Sequence, residues 1–266
     1  MFFGIFEKMQ QWDSNYEVQS LYQSYFADLY DKLTQETKYD LEFYDKHTIL
    51  CRGDILELAC GSGRILLYLA SKGFNVTGID LSEDMLDILR NKLSQQPIDV
   101  QSRIKLYCAD MKDFSLNKLF GLILLPATSI SLLKNYSEIE MLFKTVHKHL
   151  RKDGQFIFDY RDNYSSTPIT YSPLITWTDT TPKNEQRVLM VQECNNFLES
   201  KSIVNCYSEI KSNGRKKRLF SYSEKAIFTF DGLQKIVHKT GLKIVETREM
   251  IIYENEKLKI VVLGKV

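Results

Sequence analysis

The chain carries almost no net charge and few of the features that mark secreted or membrane proteins. Its 266 residues include 35 basic and 34 acidic side chains, so the overall charge attracts neither nucleic acid nor an anionic membrane. No apolar run approaches the roughly 20 residues that span a bilayer. The apolar start Met1–Phe6 stops at Glu7, which is too early for a signal-peptide core. We therefore predict a cytoplasmic protein with no nucleic-acid or membrane partner.

Paired cysteines and candidate metal ligands are also scarce. The odd number of cysteines and the lack of any Cys-x-x-Cys spacing fit reduced thiols. Between Gly121 and Lys134 there is no Asp or Asn, which a divalent-ion site at that place would need. We therefore predict that the protein binds no metal.

The most informative feature is the stretch Ile55–Arg64, which reads Ile-Leu-Glu-Leu-Ala-Cys-Gly-Ser-Gly-Arg. A short apolar run, a Gly-x-Gly turn and a helical pattern predict strand, glycine loop and helix, the ligand-binding edge of a doubly wound sheet. Gly61 and Gly63 have no Cβ, which allows a sharp turn and a close approach of the backbone to a ligand. Because a Gly-x-Gly loop alone is weak evidence, the residues that follow it decide the interpretation.

A second predicted strand, Val76–Asp80, ends in an acid that can accept both hydroxyls of a ribose. The third glycine of a dinucleotide fingerprint is replaced by Leu66. Glu57 would repel a pyrophosphate but would suit a cationic amino-acid group. These residues predict a nucleoside ligand with a positive tail, and they disfavour NAD.

Two further strands, Ile104–Ala109 and Gly121–Leu125, lead into Asp110 and Pro126. With these, residues 50 to 160 resemble, in order, the class I S-adenosylmethionine-dependent methyltransferases. The resemblance implies a Rossmann-like α/β fold with a seven-stranded sheet, and S-adenosyl-L-methionine as cofactor, with S-adenosyl-L-homocysteine as product. It also implies cofactor contacts at the methionine end, the ribose and the adenine, from Tyr39, Glu57, Ala59, Gly61, Gly63, Asp80, Leu81, Met85, Asp110, Met111 and Pro126.

The expected domain organisation has three parts. Residues 1–48, rich in aromatics, are expected to form two or three helices that act as an N-terminal lid, from which Tyr30 and Tyr39 would reach the site. Residues 49–266 would form the methyltransferase domain, and residues 174–229 an antiparallel β-sheet inserted into it. An exposed edge of that sheet leaves both a monomer and a homodimer open. The basic run Arg215–Arg218 is expected at a solvated hairpin tip, with RNA contact as the alternative.

The fifth strand ends in Asp159-Tyr160-Arg161-Asp162, a dense group of charges after an apolar run. It forms either a local ion pair or a substrate site in which Asp159 or Asp162 holds a cation and Arg161 a carboxylate or carbonyl. As a base for an amine we expect Asp159, Asp162 or a water beside Tyr30. Strand four lacks the Asp/Asn-Pro-Pro-aromatic motif of the methyltransferases that act on base amines, so a nucleobase acceptor is disfavoured.

Phe3, Trp12 and Trp177 are either packing residues or a roof over a flat or amine-bearing substrate. The motif style and the inserted sheet resemble bacterial natural-product N-methyltransferases. We therefore predict methyl transfer to a nitrogen of a small molecule or peptide, with the N-terminal arginine amine of plantazolicin-type peptides as first choice. An amino-sugar N-methyltransferase, a small-molecule O-methyltransferase and a non-catalytic S-adenosylmethionine-binding partner protein remain alternatives.

Overall fold

The computed structural model describes residues 2–12, 14–51, 53–162, 167–180, 185–212, 214–253 and 256–266. The chain divides into two compact units, Met1–Tyr30 with Tyr164–Ile227, and Asp31–Asn163 with Phe228–Val266. In chain order the elements are α1 (Gly4–Trp12), β1 (Glu17–Ser20), α2 (Ser24–Thr34), α3 (Leu41–Leu50), β2 (Ile55–Leu58), α4 (Arg64–Ser71), β3 (Val76–Asp80), α5 (Glu83–Ser94), α6 (Ile98–Gln101), β4 (Ile104–Cys108), β5 (Phe120–Leu125), a 3₁₀ helix (Ser129–Leu132), α7 (Tyr136–His149), β6 (Leu150–Tyr160), β7 (Ile169–Tyr171), β8 (Ile175–Thr180), β9 (Gln186–Asn196), β10 (Lys201–Ser212), β11 (Arg215–Ala226), α8 (Phe230–Lys239), β12 (Leu242–Tyr253) and β13 (Glu256–Lys265).

The second unit contains a seven-stranded sheet in the order β12-β13-β6-β5-β2-β3-β4. Strands β2 to β6 pair in parallel, whereas β13 runs antiparallel to β6 and β12. Strands β2 and β5 consist of buried residues throughout, as expected of central parallel strands covered on both faces. This sheet confirms the predicted α/β fold.

Chain order in this sheet reverses beside β2, with β3 on one side and β5 on the other. In open α/β sheets ligands bind beyond the carboxyl ends of the strands at such a reversal. The loop that follows β2 is the Gly-x-Gly loop. The fold therefore directs attention to the carboxyl ends of β2, β3, β5 and β6.

The first unit contains a second, six-stranded sheet in the order β1-β11-β10-β9-β7, with β8 also paired to β9. Strands β8 to β11 of this sheet lie within residues 174–229, where an antiparallel sheet was expected. The segment Glu17–Ser20, in the region expected to hold two or three helices, forms a strand that pairs in parallel with Leu219–Tyr222. Its burial pattern, exposed at three of four positions, is that of an edge strand held by backbone hydrogen bonds.

Basic residues expected at a hairpin tip lie at the start of β11. Lys216 and Arg218 contact the carboxylate of Glu209, at 3.3 and 3.0 Å, and Lys217 contacts Glu17 at 3.1 Å. These ion pairs balance much of the run's positive charge. The turn Pro182–Asn184, which was expected to connect two strands, lies outside the described residues.

Candidate functional site

The loop after β2 has a backbone that few side chains tolerate. Ala59, Gly61 and Gly63 have φ values of 51°, 53° and 84°. A Cβ on Gly63 would lie 2.2 Å from Leu89 Cδ1, and one on Gly61 would lie 3.1 Å from Met85 Cε. Both glycines are therefore required here by conformation and by the closeness of α5. Ala59 adopts the left-handed region without that freedom, which is a strained conformation of the kind found at binding sites.

Asp80, the last residue of β3, joins this loop to the next one. Its Oδ2 accepts a hydrogen bond from the Gly61 N–H at 2.7 Å, and its Oδ1 accepts one from the Ser82 N–H at 2.8 Å. Burial raises the pKa of Asp80, and these backbone donors oppose that rise. Each oxygen can accept further hydrogen bonds, so the carboxylate can hold the loop and still bind a diol.

Glu57 lies in β2, immediately before the loop, with only 2% of its surface exposed. Its Oε2 is buried and has no hydrogen-bond partner among the residues that the structure describes. Burial raises the pKa of Glu57 to about 8, with Arg64 opposing that rise. Because a buried polar atom without a partner is costly, an orphaned carboxylate oxygen next to a glycine loop is a candidate ligand contact.

Two acidic residues attach the segment between α2 and α3 to the glycine loop. Asp31 accepts a hydrogen bond from Ser62 Oγ at 2.5 Å and also contacts Lys92 Nζ. Asp40 accepts hydrogen bonds from the two terminal nitrogens of the Arg64 guanidinium group, each at 2.6 Å. Tyr39 precedes Asp40 in this segment and lies within electrostatic range of Arg64. A cofactor contact by Tyr39 stays a prediction.

Sequence reasoning missed these attachments. Asp31, Asp40 and Arg64 were not among the predicted site residues. The one signal in the sequence was Arg64 itself, a cation directly after Gly-Ser-Gly, but its partners are distant in sequence and only the fold identifies them.

After β3 and β4 lie further residues that the resemblance assigns to the cofactor, with Asp110 and Met111 at the adenine. Leu81, directly after Asp80, exposes 70% of its surface, which leaves an apolar side chain open to a ligand. Asp110 accepts a hydrogen bond from the Lys112 N–H at 2.9 Å and contacts Lys112 Nζ at 3.3 Å. Met111 is half-buried beside it, whereas Met85 is buried against Gly61.

The charged group at the end of β6 has partners other than the predicted substrate. Asp159, 3% exposed, accepts hydrogen bonds from the N–H groups of Ala127 and Thr128 and from Tyr44 Oη. Asp162 contacts Lys259 Nζ at 2.6 Å. Arg161 is half-buried. Asp159 thus has protein donors at both oxygens, and Asp162 pairs with a lysine of β13. Substrate contacts by Asp159, Arg161 and Asp162 stay predictions.

The remaining candidates, Tyr30, Phe3, Trp12 and Trp177, belong to the first unit. Tyr30 packs edge-to-face on Tyr22, and Phe3 contacts Phe6 and Tyr171. Trp177 lies under the guanidinium of Arg187, whose carbon is 5.4 Å from the ring centroid. Trp12 is 73% exposed at the end of α1. Phe3 and Trp177 thus have packing partners within their own unit, and the roof over a substrate stays a prediction.

The second-unit site fits S-adenosylmethionine on its own chemistry. The orphaned Glu57 oxygen suits an ammonium group, and Asp80 suits a ribose diol at the end of the neighbouring strand. Among the described residues, no group of three or more His, Cys, Asp or Glu side chains is placed to hold a metal. In the same residues, no helix is long and apolar enough to cross a membrane.

Comparison with known proteins finds similarity to methyltransferases. Residues 55–154 match the methyltransferase-domain family model. A Bacillus subtilis protein named as a methyltransferase is 35% identical over 142 residues, 52% of this chain and 55% of that protein. The Streptomyces fradiae dTDP-3-amino-3,6-dideoxy-alpha-D-glucopyranose N,N-dimethyltransferase is 30% identical over 148 residues, 53% of this chain and 55% of that protein. The chain therefore spans little more than half the length of these relatives.

Solved structures share the fold. A methyltransferase from Streptomyces caelestis has a TM-score of 0.72 at 17% identity, with 93% of this chain and 98% of the other covered. A glycopeptide N-methyltransferase complexed with S-adenosylmethionine has a TM-score of 0.61 at 21% identity, with 86% and 93% covered. Residues 55–154 thus match a methyltransferase domain, and the chain shares its fold with S-adenosylmethionine-dependent methyltransferases, a natural-product N-methyltransferase among them.

Proposed function

We propose that this chain transfers a methyl group from S-adenosylmethionine to the amine of a small-molecule natural product. The observation that supports the cofactor is Glu57, a buried carboxylate with an orphaned oxygen directly before a loop that Asp80 fixes. Glu57 would accept the α-ammonium group of the methionine end. Asp80 would accept the ribose hydroxyls, and Leu81, Asp110 and Met111 would contact the adenine.

When bound, the cofactor supplies a methyl group on positively charged sulfur that needs no further activation. The protein then has mainly to hold an unprotonated nitrogen in line with the bond that breaks, and to exclude water from it. Alignment of this kind is the contribution expected from the strand ends and the turns that follow them. No covalent intermediate with the protein is needed.

The environment of Asp159 and Asp162 changes the preferred acceptor. The case for an N-terminal arginine depended on free acids that could hold a guanidinium group. Asp159 instead binds backbone N–H groups, and Asp162 binds Lys259. Relatives named for N,N-dimethylation of dTDP-linked amino sugars support an amino-sugar acceptor, so we place it first. The arginine-initiated peptide becomes the second acceptor to test.

Calorimetric titration with S-adenosylmethionine and S-adenosylhomocysteine tests the cofactor assignment. We expect clear binding to the wild type and at least about tenfold weaker binding to Asp80→Ala, because both the ribose contact and the bond to Gly61 are lost. Asp87→Ala is the matched control, since Asp87 is an exposed acid on α5 that pairs with Arg90. If the wild type binds neither compound, the proposal fails.

An acceptor screen tests the reaction. Wild-type protein with labelled S-adenosylmethionine would be offered a dTDP-linked 3-amino sugar, an arginine-initiated peptide and a phenol. Transfer to the amino sugar would support the proposal. Transfer to the peptide alone would instead favour the arginine-initiated peptide as the acceptor. Transfer to the phenol alone would mean O-methylation. Binding without any transfer would favour a cofactor-binding partner protein.

A further inference from the structure

The turn that follows β5 has an unusual backbone. Ala127 and Thr128 are consecutive non-glycine residues with φ values of 58° and 57°. Side chains with a Cβ rarely occupy this left-handed region, and two in succession need support from the surrounding structure. The carbonyl of Pro126 accepts hydrogen bonds from the N–H and the hydroxyl of Ser129 at 3.1 and 2.6 Å, but these contacts hold only the outer end of the turn.

The support for the strained residues comes from Asp159. The Ala127 N–H donates to Oδ2 at 3.0 Å, and the Thr128 N–H donates to Oδ1 at 2.6 Å. Tyr44, from α3, donates its hydroxyl to Oδ2 at 3.3 Å. Both oxygens of this buried carboxylate are therefore engaged. Such charge-assisted hydrogen bonds are stronger than neutral ones.

Sheet register places this turn next to Glu57. Leu125, the last residue of β5, pairs with Phe158 of β6, so Asp159 lies level with the start of the turn that follows β5. On the other side Leu124 pairs with Glu57 of β2. The strained turn therefore starts two residues beyond the strand position that faces Glu57. It borders the place where the methionine end of the cofactor would lie and where a methyl acceptor must approach.

We propose that Asp159 is a positioning residue that holds the turn Pro126–Thr128 as one wall of the acceptor site. The role as a wall of the acceptor site rests on the proposed function. The clamp, by which we mean the hydrogen bonds from the turn to Asp159, depends only on the contacts described above. Asp159 acts through the turn and does not touch the reacting atoms. Loss of its carboxylate should therefore affect the acceptor more than the cofactor.

Amide hydrogen exchange tests the clamp without any acceptor. In Asp159→Asn we expect Ala127 and Thr128 to exchange at least about tenfold faster, while residues 55–63 keep their wild-type rates. Affinity for S-adenosylhomocysteine should stay within about twofold. Asp153→Asn is the matched control, because Asp153 is an exposed acid on the same strand and contacts Arg151. Unchanged exchange at the turn would overturn the clamp.

Steady-state kinetics with the dTDP-linked amino sugar test the positioning role. Asp159→Asn should raise KM for the amine at least about fivefold with a smaller change in kcat. Adding Ala127→Gly should recover part of that loss, because glycine adopts the left-handed conformation without strain. If affinity for S-adenosylhomocysteine falls as far as acceptor use does, or if the glycine restores nothing, the assignment is overturned. If the wild type methylates no amine, the proposed function fails and the exchange rates still decide on the clamp.

Discussion

Glu57 and Asp159 are two buried carboxylates at the same edge of one sheet, and they differ in what surrounds them. Asp159 receives three hydrogen bonds, and its pKa is raised by burial only to about 6, because those donors oppose the rise. Glu57 has an oxygen without a partner, and its pKa rises to about 8. Burial is the main cause of both rises; three donors oppose it at Asp159, whereas Asp40 and Asp80 add to it at Glu57 and Arg64 opposes it there.

The contrast separates two roles that the sequence cannot distinguish. A carboxylate whose oxygens are fully engaged holds the protein's own backbone in place. A buried carboxylate with an orphaned oxygen costs stability in the free protein and gains a partner when a cationic ligand arrives.

Stability of the free protein should respond in opposite directions to the two neutral replacements. Asp159→Asn should lower the free energy of unfolding by about 2 kcal/mol, because its amide group faces backbone donors that then lose their acceptor. Glu57→Gln should raise the free energy of unfolding by about 4 kcal/mol at pH 8, because the rise of the Glu57 pKa from 4.5 to about 8 makes its ionised form costly to bury. Urea denaturation without ligand measures both, with Asp153→Asn as control. If both variants changed the free energy of unfolding in the same direction, the proposed difference between the two carboxylates would be contradicted.

The gain from Glu57→Gln should also depend on pH. The pKa of Glu57 in the folded protein, about 8, lies above its usual value of 4.5. Folding therefore favours the protonated acid, and the wild type loses stability as pH rises from about 4.5 through about 8. The advantage of Glu57→Gln should grow across this window and vanish below it. A constant advantage would exclude Glu57 ionisation as its cause.

Ligand binding should show the reverse preference for Glu57. A charge-assisted contact to the α-ammonium group contributes about 2 kcal/mol, or about thirtyfold in affinity. Since about half of Glu57 is protonated at pH 8, Glu57→Gln should weaken S-adenosylhomocysteine about fifteenfold there. Methylthioadenosine, which lacks the amino-acid part, is the control ligand and should bind both proteins about equally. Equal losses for both ligands would contradict the assigned contact.

The same contact predicts a pH-dependent affinity in the wild type. A cationic ligand favours ionised Glu57, so binding below pH 8 must release a proton. Wild-type affinity for S-adenosylhomocysteine should then fall about tenfold from pH 8 to pH 6. Calorimetry in buffers of different ionisation enthalpy would detect the proton. Glu57→Gln should lose both the slope and the proton release, and a slope that persists in this variant would assign the titration to another group.

Much of the second unit could be predicted because its signals are local. The apolar strands, the glycines at 61 and 63 and the acid that ends β3 are read from neighbouring residues, and the predicted sheet was confirmed. The partners of Asp159 could not be predicted. They come from the turn after β5 and from Tyr44 on α3, more than 30 and 100 residues away in sequence. An acid at a strand end gives no indication of whether the fold will supply its donors.

The edge strand β1 shows a second limit of the sequence. Glu17–Ser20 is short, polar and preceded by helical patterns, so no alternation distinguishes it from a helix. Its conformation depends on the free edge of β11, which tertiary structure supplies. Local propensity is a weak guide where the partner lies 200 residues away.

The smallest expected effect concerns Asp31, a third buried carboxylate, which resembles Asp159 because its partners are already present. Ser62→Ala removes the hydroxyl that donates to Asp31 but leaves the contact between Asp31 and Lys92. We expect S-adenosylhomocysteine to bind about fivefold more weakly, the value of one hydrogen bond that orders the glycine loop. Ser94→Ala, an exposed serine at the end of α5, is the control. If Ser62→Ala weakened binding more than Glu57→Gln, loop anchoring would outweigh the orphaned oxygen, and the distinction between structural and ligand-binding carboxylates would not explain this site.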